Sequence, residues 1–228
     1  MPVIDLARTS RRDLNAELHA LSPDADAARW RVENPGGQHA LAVGLNAPVT
    51  VEIAGHAGYY CGGMNQLATV VVEGNAGVGV AENMISGRVH VKGDASQAAG
   101  ATAHGGLLVI DGDASARCGI SMKGVDIVVK GSIGPMSAFM AQSGNLVVLG
   151  DAGDALGDSI YEARLFVRGA VKSLGADCVE KEMRAEHRDL LRRLLREAGV
   201  DGAEVSEFRR FGSGRKLYNF HVDNAAAY

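Results

Sequence analysis

Aromatic residues are scarce in this chain: five Phe, five Tyr and one Trp in 228 residues, against thirty Gly. That ratio is unusual for an enzyme core and natural for a chain of tight corners, where glycine adopts backbone shapes costly to other residues. Cysteine is nearly absent too. Cys61, Cys118 and Cys178 have no ligand spacing that would support a metal or cluster site. The net charge of −4 is spread evenly and leaves no basic stripe, which argues against nucleic acid. No apolar run approaches membrane-spanning length, and Met1–Arg8 lacks the apolar core of a signal peptide. The expectation is a soluble, cytoplasmic protein with no membrane partner.

What the chain has in abundance is repetition. Val51-Glu-Ile-Ala-Gly55, Val70-Val-Val-Glu-Gly74, Val89-His-Val-Lys-Gly93 and Leu108-Val-Ile-Asp-Gly112 share one pattern. Ile127-Val-Val-Lys-Gly131, Leu146-Val-Val-Leu-Gly150 and Leu165-Phe-Val-Arg-Gly169 continue it. The closing glycines therefore recur every nineteen residues, the mark of a repeat architecture. The fourth and second residues before each glycine are always Val, Ile or Leu, as on the inward face of a short strand. A turn-like tetrad such as Gly74-Asn-Ala-Gly77 follows, and seven residues past the anchor the chain is small: Gly62, Ala81, Gly100, Gly119, Ala138, Gly157. The unit leaves no room for a helix. An all-β parallel β-helix with seven rungs of nineteen residues is expected over residues 46–175, its anchor glycines at positive φ.

Alternatives fail on spacing. Stepping by six from Ile110 gives Ala116 and Met122, so the hexapeptide β-helix is absent, and the glycines do not recur every third residue as in collagen. Gly74-Asn-Ala-Gly-Val-Gly79 looks like a phosphate loop, but it lacks the helix and downstream acid of a dinucleotide site. Cys61 and Cys118 fall in one column three rungs apart, roughly 14 Å at a strand spacing of about 4.8 Å, too far to bridge. Val80, Ala99 and Ser137 share that column, so packing explains it.

Residues 1–45 read as a helix and cap. Ser10 and Asp13 resemble a capping box opening a helix over 9–21, with Leu14, Leu18 and Leu21 on one face. Two short strands are expected within 29–45 around the Asn34-Pro-Gly-Gly37 turn, with Ala40–Leu45 leading into the first rung. Residues 176–228 hold a helix over 177–198 with an apolar stripe (Met183, His187, Leu190, Leu191, Leu194, Leu195), acids early (Asp177, Glu180, Glu182) and arginines late. His187 reads as a packed histidine. The tail over 205–228 carries Phe208, Phe211, Tyr218, Phe220 and Tyr228 and is expected to dock on a surface.

No nucleophile–base motif is visible. The most chemically varied corners hold Tyr59, Tyr60 and Asn65, then Glu82 and Asn83, and read as partner contacts together with Phe208, Phe211, Tyr218 and Phe220. The residue three before each anchor should face outward, yet it is Val109, Val128, Val147 and Phe166 in four consecutive rungs. Such a stripe needs a cover, and the 177–198 helix is the intramolecular candidate.

These rungs resemble the GXGXG β-helix at the C-terminal end of the large glutamate synthase subunit, and also the β-helix chain of formylmethanofuran dehydrogenase. More narrowly, Gly58-Tyr-Tyr-Cys-Gly-Gly-Met-Asn65, Gly77-Val-Gly-Val-Ala-Glu-Asn-Met84, Arg117-Cys-Gly-Ile-Ser-Met-Lys-Gly124 and Met136-Ser-Ala-Phe-Met-Ala-Gln-Ser-Gly144 are similar to the β-helix subunit of N-methylglutamate synthase. Leu174–Glu182 and Lys216–Asn224 extend the likeness to nearly the whole chain. The resemblance implies a right-handed β-helix and a heteromeric enzyme. Its partners would be a class II glutamine amidotransferase-like subunit and a synthase subunit carrying FMN and an iron–sulfur cluster. The complex would make N-methylglutamate from glutamate and methylamine, or glutamate in the plain synthase version. This chain would be its non-catalytic assembly subunit, without cofactor or metal of its own; an independent solenoid enzyme or binder is the other class left open.

Overall fold

The computed structural model describes residues 1–24 and 28–215. Strand β1 (Val3–Asp5), helix α1 (Arg11–His19) and strand β2 (Arg29–Glu33) come first. Seven strands follow: β3 (Thr50–Ile53), β4 (Thr69–Val72), β5 (Arg88–Val91), β6 (Leu107–Ile110), β7 (Lys123–Val129), β8 (Ser143–Val148) and β9 (Arg164–Val167). They pair in parallel at a register of nineteen, so Val51, Val70, Val89, Leu108, Ile127, Leu146 and Leu165 stack in one file. A second file of isolated parallel bridges runs from Ala57 through Ala76, Ala95, Ala114, Ile133 and Ala152 to Val171. The chain is the expected parallel β-helix. Its interior is the alternating pair read from the sequence, from Val51 and Ile53 to Leu165 and Val167, all fully buried.

Three further columns define the third face. Residues five, seven and nine past each of the first six anchors are all left-handed, for example Tyr60, Gly62 and Met64, then Gly79, Ala81 and Asn83, and on to Ala155, Gly157 and Ser159. A left-handed L-residue costs roughly 1–2 kcal/mol. Backbone hydrogen bonds between coils hold the strain. The first and third N–H groups donate to the next coil (Tyr60 to Val78 O, 2.8 Å; Met64 to Glu82 O, 2.9 Å), and the middle one donates to the coil before (Ala81 to Cys61 O, 2.9 Å). The middle residue must also be small, because a Cβ on Gly100 would lie 2.6 Å from Ile127 Cδ1.

The anchor glycines have a different reason from the expected one. Only Gly55 has a positive φ; Gly74, Gly93, Gly112, Gly131, Gly150 and Gly169 do not. They stack backbone on backbone, each N–H from Gly93 onward donating to the preceding anchor's carbonyl (Gly93 to Gly74, 3.1 Å; Gly150 to Gly131, 2.9 Å). The next residue adds a side-chain ladder. Asn75 Oδ1 accepts from Asp94 N–H (3.0 Å), Asp94 from Asp113 (2.8 Å), Asp113 from Ser132 (2.7 Å), and Asp151 from Ala170 (2.7 Å). A side chain on an anchor would occupy the space of that ladder.

Both ends differ from expectation. Residues 29–47 are an additional coil: β2 pairs in parallel with β3 at a register of twenty-one, and β1 lies parallel outside β2. Only one of the two strands expected within 29–45 forms; residues 40–45 are left-handed turns, because they continue the turn face onto this coil. Helix α1 is capped by Ser10, whose Oγ accepts from Asp13 N–H (3.1 Å), and buries Leu14 and Leu18. At the other end, 177–182 is not helical. Strand β10 (Cys178–Lys181) pairs antiparallel with β11 (Arg209–Ser213), which pairs antiparallel with β9. Helix α2 spans only Ala185–Glu197, so Asp177, Glu180 and Glu182 lie outside it and Glu186 is the acid of its first turn.

Helix α2 closes the outer stripe. Val109, Val128, Val147 and Phe166 pack with Leu191, Leu194, Leu195 and Ala198 in one buried cluster, joined by Val205 and Phe208.

Candidate functional site

The corner singled out in the sequence is only partly a surface. Tyr59 is 52% exposed and stacks on His39 with ring centroids 3.9 Å apart, while its N–H donates to His39 Nδ1 (3.2 Å). Tyr60 is half-buried and its hydroxyl accepts from Asn83 Nδ2 (3.2 Å); Asn83 Oδ1 accepts from Thr102 Oγ1 (2.6 Å). The left-handed columns bring these three side chains into line across three coils. Glu82 is half-buried beside them.

Three other expected contacts are internal. Asn65 is fully buried, its Nδ2 donating to Ala68 O (2.7 Å) while its Oδ1 has no partner among the described residues. It occupies an inward column otherwise filled by Met84, Ala103, Met122, Ala141 and Ile160, so it cannot meet a partner. Phe208 lies in the stripe under α2, and Phe211 is buried over the end of the solenoid core. Their rings are used up in the chain's own closure. Tyr218 and Phe220 fall outside the described residues.

The cysteines are core atoms. Cys61 and Cys118 are fully buried, and burial alone pushes both thiols up to about 12; Cys178 is pushed up to about 11. A thiol so raised carries almost no thiolate near neutral pH and is a poor nucleophile. Among the described residues no three His, Cys, Asp or Glu side chains gather as metal ligands.

The richest chemistry lies where no sequence pattern marked it, in a groove of about 550 Å³ at the closing end of the solenoid. Antiparallel pairing sets Lys181 of β10 directly opposite Arg210 of β11, and Arg210 opposite Phe166 of β9. Arg164 lies two residues before Phe166 and so on the same face. The first turn of α2 brings in Arg184, Glu186 and His187. Arg210 Nε donates to Glu182 O (2.9 Å), and Arg184 N–H donates to His187 Nδ1 (3.2 Å). Burial, then the charges of Arg164 and Arg184, lower the affinity of Arg210 for its proton; burial, then Arg210, lowers that of His187. A smaller cavity of about 460 Å³ adjoins it through Tyr161 and Glu162. The missed signal was the reversal of strand direction after β9, which the nineteen-residue period does not carry.

Compared with known sequences, the chain is 64% identical over 228 residues, the whole of both chains, to Protein GlxC of Rhizobium meliloti (strain 1021). It belongs to the GlxC family. No family model matches it. The 228 aligned residues include the solenoid and also the segments that close the groove.

Proposed function

We propose that the chain is the β-helix assembly subunit of a heteromeric, glutamate-synthase-like enzyme, with N-methylglutamate synthase as the specific activity. In that complex glutamate and methylamine give N-methylglutamate and ammonia. A class II amidotransferase-like subunit would contribute a cysteine nucleophile, and a separate synthase subunit would carry FMN and an iron–sulfur cluster. One observation carries the division of labour: the described thiols are sealed in the solenoid core with their proton affinity raised. That supports a division of labour in which the nucleophile comes from another chain. The thiols are also too dispersed for a cluster, since Cys61 and Cys118 sit three coils apart. The nineteen-residue repeat and the likeness of both ends of the chain supply the rest of the reading.

Affinity purification of the tagged chain from its native cells is the test. Two larger subunits should come down with it in fixed ratio, one binding FMN, and N-methylglutamate formation should need all three. The chain purified alone with no such partners, or catalysing the reaction unaided, would overturn the reading. A second reading, an independent solenoid that binds a small molecule, is favoured by the cationic groove.

A further inference from the structure

We propose that the groove at the closing end of the solenoid is a binding site for a small, multiply charged oxyanion, a polycarboxylate or an organic phosphate. The inference stands whether or not the chain works in the complex proposed above.

The fold itself assembles like charges there. Lys181 and Arg210 face each other directly across an antiparallel pair, an arrangement that destabilises a sheet. Arg164 joins them on the same face, and Arg184 and Arg215 complete five basic side chains against three carboxylates, Glu162, Glu182 and Glu186. The ion pairs at the rim leave the centre uncompensated. Arg184 pairs with Glu182 (3.3 Å), and Arg215 with Asp177 outside the groove. Among the described residues no carboxylate lies within ion-pairing distance of a Lys181, Arg164 or Arg210 nitrogen.

These cations are also positioned. The Arg210 guanidinium is fixed through its Nε on Glu182 O, and Arg164 Nη1 reaches Asn145 Oδ1 (3.5 Å). Asn145 is itself buried and donates to Asp126 Oδ1 (2.6 Å), which tethers Arg164 to the body of the solenoid. Planar guanidinium groups suit carboxylate and phosphate oxygens in forked pairs. The half-buried Arg210, whose proton affinity burial and then Arg164 and Arg184 depress against the opposing pull of Glu186 and Glu182, is a cation held without a directly paired carboxylate among the described residues. The cavity volume lies in the range of small-molecule sites. A monoanion would neutralise one centre; the spread over Lys181, Arg210 and Arg164 asks for at least two.

Titration calorimetry of the full chain with citrate, pyrophosphate and acetate tests this. Citrate or pyrophosphate should bind with one-to-one stoichiometry, and acetate at least tenfold more weakly. The arm that binds tighter tells a polycarboxylate site from a phosphate site. In R164Q/K181Q affinity should fall at least tenfold, while the unliganded variant melts no lower than the parent because like charges have been removed. The His187 ring signals should shift when citrate is added to the parent protein. Absence of binding by either polyanion, equal affinity in the variant, or unmoved His187 signals would each overturn the site.

Discussion

A Cβ placed on Gly131 would overlap Asp113 Oδ1 and fall 2.7 Å and 2.8 Å from the carbonyl oxygen and carbon of Gly112. Contacts that short force the coils apart, and overpacking of this kind typically costs about 1–3 kcal/mol. Since the obstacle is space and not φ, Gly131→Asn should be no milder than Gly131→Ala, although Asn tolerates left-handed backbone better than Ala. Thermal melting of both variants checks this; an Asn variant close to wild type would restore the conformational explanation. The glycine column was legible from its period alone, but its cause was not. Spacing records that a position is small without saying whether dihedral angle or a neighbour's backbone demands it. The thiols permit a pH prediction. Folded values near 12 and 11 lie above the ordinary thiol value of about 8.5, so the folded state holds its protons longer than the unfolded state. The stabilisation is complete below the unfolded value and is lost as pH rises toward the folded one. The melting temperature should therefore fall from about pH 8.5 upward, and less steeply in Cys61→Ala/Cys118→Ala; an unchanged slope would place the alkaline loss elsewhere.

At the scale of elements, α2 covers a stripe that the sheet cannot leave bare. Thirteen residues are marginal for an isolated helix, and its Leu191, Leu194 and Leu195 are buried against Val128, Val147 and Phe166. Leu194→Ala should cost about 2–5 kcal/mol, the usual range for a buried leucine. Hydrogen exchange on the chain alone should already show slow amides over 187–195; fast exchange there until other proteins are added would assign the stripe to a partner. That outward stripe could be read from the sequence because strict alternation put Val109 and Phe166 on a face where a free solenoid has polar residues. The start of α2 could not. Val179-Glu-Lys181 follows Cys178 with as much helical as strand character, and pairing with β11, some thirty residues on, decides for strand. The groove rests on that same long-range register, so Lys181 and Arg210 gave no joint signal.

For the whole molecule, the exposed ends of the stack decide what remains available to a partner. Nine parallel strands would present an open edge at each end, a template for further pairing. The short β1 of three residues ends one side, and the antiparallel β11 and β10 end the other, because a reversed strand cannot seed another parallel coil. Helix α2 has taken the outer stripe and Phe211 the core's end. Among the apolar side chains left exposed, Tyr59, Met64, Leu67, Val78 and Ile85 of the second and third coils are each 46–52% exposed. Tyr59 and Val78 stand one coil apart in the same column, about 4.8 Å by strand spacing. If the chain assembles with amidotransferase-like and synthase-like subunits, this is apolar surface that none of its own described elements covers. Tyr59→Ser/Val78→Ser removes two of its five side chains without touching the core or either ladder. The melting temperature of the isolated variant should stay within a degree or two of wild type, as surface substitutions usually allow. Co-purification of the larger subunits should drop severalfold. Undiminished co-purification would move the docking face away from this corner, and a large fall in melting would show that the two side chains serve the fold.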